Sequence, residues 1–98
     1  MNSRLDLEEL EEFFAAKGRT RILGVIAEYG EVNISQLARR VGMNHTSVVR
    51  HVKRLKKAGL VNDKRYGTLR VLEFRPDTLT VTLRKGHTSE VELRGGEQ

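Results

Sequence analysis

Thr46, Arg50, Lys53 and Lys57 follow one another at intervals of four, three and four residues. That spacing stacks side chains along one face of an α-helix. Ser47 and Arg54 flank the row, and Val48, Val52, Leu55 and Gly59 fall on the opposite side. Two hydroxyls, two guanidinium groups and two ammonium groups on one side are hydrogen-bond donors and cations. Their chemistry is to grip phosphate and read polar edges, not to make or break bonds. Constellations for catalysis are missing: there is no glycine-rich phosphate loop and no nucleophile with a base at useful spacing. The chain has no cysteine, and His45, His51 and His87 lack metal-ligand spacing, the first two lying six apart on different helix faces. The pairs Glu9/Glu12 and Asp63/Glu73 read as surface charge. No enzymatic activity, metal or cofactor is expected.

The basic row needs a frame. Residues 45–58 form its helix, with Asn44 as N-cap. Ser35 is the expected cap of a preceding short helix in which Leu37, Ala38 and Val41 face inward. Gly42, between the two helices, can take a positive φ without steric cost. Ala38, Gly42 and Val48, at offsets of four and six, supply a small residue at the helix contact, a glycine in the turn and an apolar residue early in the second helix. A polar side chain at 48 would be buried without a partner. This is the layout of a helix-turn-helix, whose second helix enters the major groove of DNA.

Upstream, a first helix is expected over residues 6–16. Asp6 serves as N-cap with Glu9 three residues on, and Ser3 with Asp6 is an equally spaced alternative. Leu7, Leu10 and Phe14 make its apolar stripe, widened by Phe13. Gly18 ends it. A second helix runs from Arg19 or Thr20 to Tyr29 with a wide apolar face, and Gly30 stops it. Residues 31–34 form a short extended piece. Downstream, 60–64 and 68–75 read as strands joined by Arg65-Tyr66-Gly67, a hairpin "wing". Leu79, Val81 and Leu83 alternate with polar residues, as do Val91 and Leu93, which favours a second hairpin over a helix. Residues 95–98 should fray. The expected organisation is an amphipathic helix at 1–18, a winged helix-turn-helix at 19–76 and a β extension with a frayed tail at 77–98. The fold class is α+β: a three-helix core plus wing, with an extra helix before it and strands after it.

At 98 residues the chain is one small domain. Its net charge of +5 is unevenly spread. Residues 1–16 hold one base and five acids, for −4; residues 17–75 hold fourteen bases and four acids, for +10; residues 76–98 come to −1. Positive charge confined to the middle fits a polyanion-binding face. No apolar run approaches the roughly 20 residues a membrane span needs, and the acidic start MNSRLDLEEL lacks the order of a signal peptide. A cytoplasmic location is the simplest expectation.

The run LARRVGMNHTSVVRHVKRLKKAGLV resembles the core of winged helix-turn-helix transcriptional regulators of the ArsR/MarR type. The resemblance covers roughly residues 19–75 and is strongest over 37–61. Two departures stand out: Val49 occupies a position where many members have serine, and the cysteine metal-sensing motif of ArsR-type sensors is absent. The resemblance implies that helix 45–58 is the recognition helix on double-stranded DNA. Base contacts are then expected from His45, Thr46, Arg50 and Val49, the last either on a thymine methyl or as core. Phosphate contacts are expected from Asn44, Ser47, Lys53, Arg54 and Lys57, and wing contacts from Lys64, Arg65 and Arg70. His51 is expected to be a packing residue. The N-terminal helix shows more apolar surface than it can hide alone, so it either caps the domain's own core or pairs with a second subunit, and a homodimer is expected. No effector is legible. The competing readings are a protein-interaction module and a non-specific nucleic-acid binder.

Overall fold

The computed structural model describes residues 2–4 and 6–96; of residues 2–4 and 13 only the backbone is described. The elements run β1 (Asn2–Arg4), α1 (Leu7–Ala15), α2 (Arg19–Tyr29), β2 (Glu31–Asn33), α3 (Ile34–Val41), α4 (His45–Lys57), β3 (Val61–Tyr66), β4 (Leu69–Phe74), β5 (Thr78–Thr82) and β6 (Glu90–Arg94). Helices α2, α3 and α4 with the antiparallel sheet β2-β4-β3 make the winged helix-turn-helix. A second antiparallel sheet, β1-β6-β5, packs its central strand against α1.

Local sequence explains most boundaries. Asp6 caps α1 as expected: its Oδ1 accepts from Glu9 N at 3.0 Å, and Glu9 Oε1 accepts from Asp6 N at 3.2 Å. The cap of α3 is Asn33, not Ser35. Asn33 Oδ1 accepts from Gln36 N at 2.8 Å and Gln36 Oε1 from Asn33 N at 3.3 Å. The helix therefore begins at Ile34, which is buried, and leaves Ser35 exposed in its first turn. Gly42 sits at φ +71°, and its N–H closes α3 on Ala38 O at 3.0 Å. An added Cβ at Gly42 would meet nothing within 4 Å, so the demand for glycine comes from the backbone angle alone.

One apolar core joins Ile22, Ile26, Leu37, Val48, Val52, Leu55, Leu60 and Leu72, with Leu10, Val91 and Leu93 from the N- and C-terminal additions. Each such side chain contributes about 1.5–3 kcal/mol by leaving water. The stripe expected on α1 is only partly used: Leu10 is buried, whereas Leu7 and Phe14 remain 47% and 45% exposed. The Phe13 side chain lies outside the described residues.

The wing extends further than expected. Pairing continues to Tyr66↔Leu69, so the connection is Gly67-Thr68 rather than Arg65-Tyr66-Gly67. Gly67, at φ +65°, supplies the positive angle that two-residue hairpin turns require. The second hairpin is present, with Leu79↔Leu93 and Val81↔Val91 in register. Two features of this sheet were not expected. Strand β1 adds to β6 through Asn2↔Arg94, Ser3↔Leu93 and Arg4↔Glu92. Gly95 and Gly96, expected to fray, are half-buried, and Gly96 O accepts from Arg75 Nη1 at 3.2 Å. Residues 97–98 of the expected tail lie outside the described residues.

Candidate nucleic-acid interface

Helix α4 turns Val48, Val52 and Leu55 fully inward. The same periodicity turns Thr46, Arg50, Lys53 and Lys57 outward, and all four are exposed. Among the described residues Arg50, Lys53 and Lys57 have no ion-pair partner. Asn44 Oδ1 accepts from Ser47 N at 2.9 Å, which fixes the start of the helix. The remaining free N–H groups of the first turn and the helix dipole favour an anion there. Exposed His45 stands at this start, and Ser47 is half-buried. Val49 is half-buried and packs against the core, so most of its surface serves packing.

Arg54 differs from its neighbours on the row. Its guanidinium is bonded to the Glu12 carboxylate of α1. Glu9, Glu12, Arg54, Lys57 and Ala58 line a hollow between the two helices. Glu12 of α1 thus occupies Arg54 beside the row and leaves Thr46, Arg50, Lys53 and Lys57 exposed.

The wing holds most of its cations internally. Arg70 Nη2 donates to Asp63 Oδ2 at 2.7 Å, and Arg70 Nε lies 3.1 Å from both carboxylate oxygens. The two side chains are only 19% and 10% exposed. The Arg70 hydrogen bond holds the Asp63 carboxyl below its ordinary range, and Asp63 in turn raises the Arg70 guanidinium. Lys64 Nζ donates to Glu31 Oε2 at 3.1 Å and lies 3.3 Å from Glu73 Oε1. Those hydrogen bonds raise the Lys64 ammonium. The Asn62 amide, then Lys64, hold Glu73 low. Of the three cations expected to reach outward from the wing, only Arg65 is exposed and without an ion-pair partner among the described residues.

Between the wing tip and the starts of α3 and α4 runs a groove lined by Asn33, Ser35, His45, Arg65, Thr68 and Leu69. Ser35 and Thr68 are additions to the expected set. The only trace of Ser35 in the sequence was its candidacy as a cap, a role that Asn33 fills. Beneath α4, Arg19 Nε donates to His51 Nδ1 at 3.2 Å, so His51 packs inside as expected but with a charged partner. Among the described residues no three His, Asp or Glu side chains gather as a metal site. No helix among them is long and apolar enough to cross a membrane.

The MarR family model matches residues 18–65, from the start of α2 into β3. Two solved structures of fragment 1–100 of one protein from Mycobacterium bovis share 29% identity with this chain at a TM-score of 0.61. The crystal structure is of a possible transcriptional regulatory protein, and the match covers 69% of this chain and 72% of that one. The solution structure is of the homodimeric winged helix-turn-helix DNA-binding domain of Mb0332, a possible ArsR-family transcriptional regulator. There the match covers 69% of this chain and 62% of the other. The crystal structure of Rv0081 from M. tuberculosis is 27% identical at a TM-score of 0.57, covering 71% of this chain and 74% of that one. No curated protein matches the chain.

Proposed function

We infer that this chain, which carries a winged helix-turn-helix of the ArsR/MarR type, is a regulator of transcription that binds double-stranded DNA. Helix α4 lies in the major groove and the wing tip lies along the flanking backbone. The observation that carries this reading is the open row Thr46, Arg50, Lys53 and Lys57 on a helix whose other face is fully buried.

Roles follow from position along the helix. Residues at its start reach deepest into a groove, so His45, Thr46 and Arg50 read base edges. Arg50 can grip a guanine through two parallel hydrogen bonds, worth about 1–3 kcal/mol of discrimination. Lys53 and Lys57 meet phosphate, as do Ser47 and the N–H groups that Asn44 presents. Arg65, with Ser35 and Thr68 across the groove, holds the backbone strand between wing and helix.

The protein acts as a homodimer. Leu7 and Phe14 on α1 stand exposed beside buried Leu10, a stripe that a second copy would cover. The Mb0332 domain is homodimeric, which supports the same arrangement here. A two-fold dimer reads half-sites about 34–36 Å apart. Its place of action is the cytoplasm, where DNA is accessible to a bacterial-type regulator.

Selection of bound duplexes from a random pool tests function and assembly together. A motif with two-fold symmetry is expected. Equal recovery of all sequences would replace this reading with non-specific binding. No recovery at micromolar protein and low salt would replace it with a protein-docking role for the same fold.

A further inference from the structure

Most of what fastens α4 to the molecule is apolar. Val48, Val52 and Leu55 are fully buried, and apolar attraction is strong but non-directional. It sets which face points inward and leaves the helix's rotation to finer contacts. Directional fixing comes from hydrogen bonds. Among the described residues α4 makes three side-chain links to other elements. Two of them, Arg54 to Glu12 and Lys56 to Asp63, involve α4 side chains at the surface. The third is interior: the Arg19–His51 bond, with Arg19 8% and His51 4% exposed.

Arg19 begins α2, and its Nη1 also lies 3.5 Å from Glu12 O at the end of α1. One guanidinium thereby joins three helices. Arginine keeps its protons, so the bond needs a bare lone pair on His51 Nδ1 and a proton on Nε2. His51 must therefore be neutral. The charged groups around the pair are Arg50 and Arg54 from α4 and Glu12 from α1. The Glu12 carboxylate is already bonded to Arg54. Among the described residues, the acid that acts on Arg19, Glu12, is the one already bonded to Arg54, so a protonated His51 would face the Arg19 cation across a broken bond.

We propose that Arg19 is a positioning residue for the recognition surface: through neutral His51 it sets the rotation of α4, and so the aim of adjacent Arg50, and protonation of His51 releases that constraint and lowers affinity for duplex DNA. The proposal rests on the DNA-binding reading of α4. Burial first, and the Arg19 charge second, hold His51 below its ordinary value of 6.5. For a group lowered in the folded state, the contribution is complete above the ordinary value and is lost as pH falls through the folded one. Binding is thus intact at neutral pH and weakens on acidification.

The test has two arms. Nitrogen-15 NMR on the intact protein, without nucleic acid, should show His51 Nδ1 bare, a midpoint below 6.5, and α4 amide shifts that follow that midpoint. His51→Asn keeps an acceptor near the Nδ1 position and cannot titrate, so its α4 amides should stay still. Arg19→Gln removes the cation and should raise the His51 midpoint. In the second arm, affinities for a duplex recovered from the random pool and for a scrambled duplex of the same length are measured between about pH 7.5 and 5.5. Wild-type affinity should fall by up to about tenfold per pH unit for each protomer below the folded midpoint, and His51→Asn should lack that fall. His45 and His87 are common to both proteins and cancel in the difference. Duplex binding with the same pH profile in wild type and His51→Asn overturns the positioning role alone. So does a His51 that carries its proton on Nδ1 at neutral pH. Absence of duplex binding by both proteins at every pH overturns the functional reading beneath it.

Discussion

The outer face of α4 and the hairpin β3–β4 both carry lysines and arginines that the sequence offers as anion contacts. In three dimensions they differ. Among the described residues, helix α4 leaves Arg50, Lys53 and Lys57 without ion-pair partners, whereas the hairpin ties Lys64 and Arg70 to Glu31, Glu73 and Asp63. The cause is the geometry of each element. On a helix, neighbours sit three and four residues away, and within α4 none of those neighbours is acidic. On a sheet, neighbours sit across the ladder and diagonally. Asp63 faces Leu72, two places from Arg70, and Glu31 faces Glu73 directly, a repulsion that Lys64 relieves. Cations on a strand therefore say less about an external anion than the same number on a helix face.

The sharpest way to break this contrast is to treat the wing cations as ligands and find that they behave so. Arg70→Met leaves the mostly buried Asp63 carboxylate with weaker partners and should lower unfolding free energy by about 2 kcal/mol. Chemical denaturation reads that loss, and duplex affinity of the folded variant should stay within about twofold, since Arg70 lines the wing groove with its guanidinium already committed to Asp63. A large affinity loss without a stability loss would place Arg70 on DNA.

Acid probes the same pairs as a group. Asp63 and Glu73 are held below their ordinary values, so their stabilisation is complete above about pH 5 and is lost as pH falls through the lower folded values. Thermal unfolding should fall over that window, and Asp63→Asn should flatten it. A profile unchanged by Asp63→Asn would remove the pair as a stabilising element.

The smallest expected effect lies where the two regions meet a third. Glu12 of α1 occupies Arg54 at the surface, a pair worth about 0–1 kcal/mol. Glu12→Gln should free Arg54 for phosphate and steepen the salt dependence of duplex binding by up to about one unit. An unchanged slope would mean that α1 still covers Arg54 or that Arg54 lies off the DNA path.

These contrasts also mark what could be read from the chain and what could not. The caps at Asp6 and Asn44, the positive φ at Gly42 and the inward set Val48, Val52 and Leu55 depend on residues within a few positions of one another. All were legible. The Asn33–Gln36 box was equally local, but serine before an apolar run drew the assignment to Ser35 and hid that Ile34 is itself the first buried helical residue. Strand β1 has only three residues and no alternation; it exists because β6 offers an edge. The partners that change the meaning of the basic residues lie far away in sequence: Arg19 and His51 are 32 apart, Glu31 and Lys64 are 33 apart. Periodicity identifies a face but not what comes to rest against it.

On the proposed function, the exposed row on α4 divides labour between reading and holding. Affinities of Arg50→Ala and Lys57→Ala for a selected duplex and a scrambled one, across a salt series, test it directly. Arg50→Ala should reduce the preference for the selected duplex by about 1–3 kcal/mol. Lys57→Ala should weaken both duplexes alike and make the salt slope shallower by about one unit. Equal losses from both substitutions on both duplexes would contradict the account.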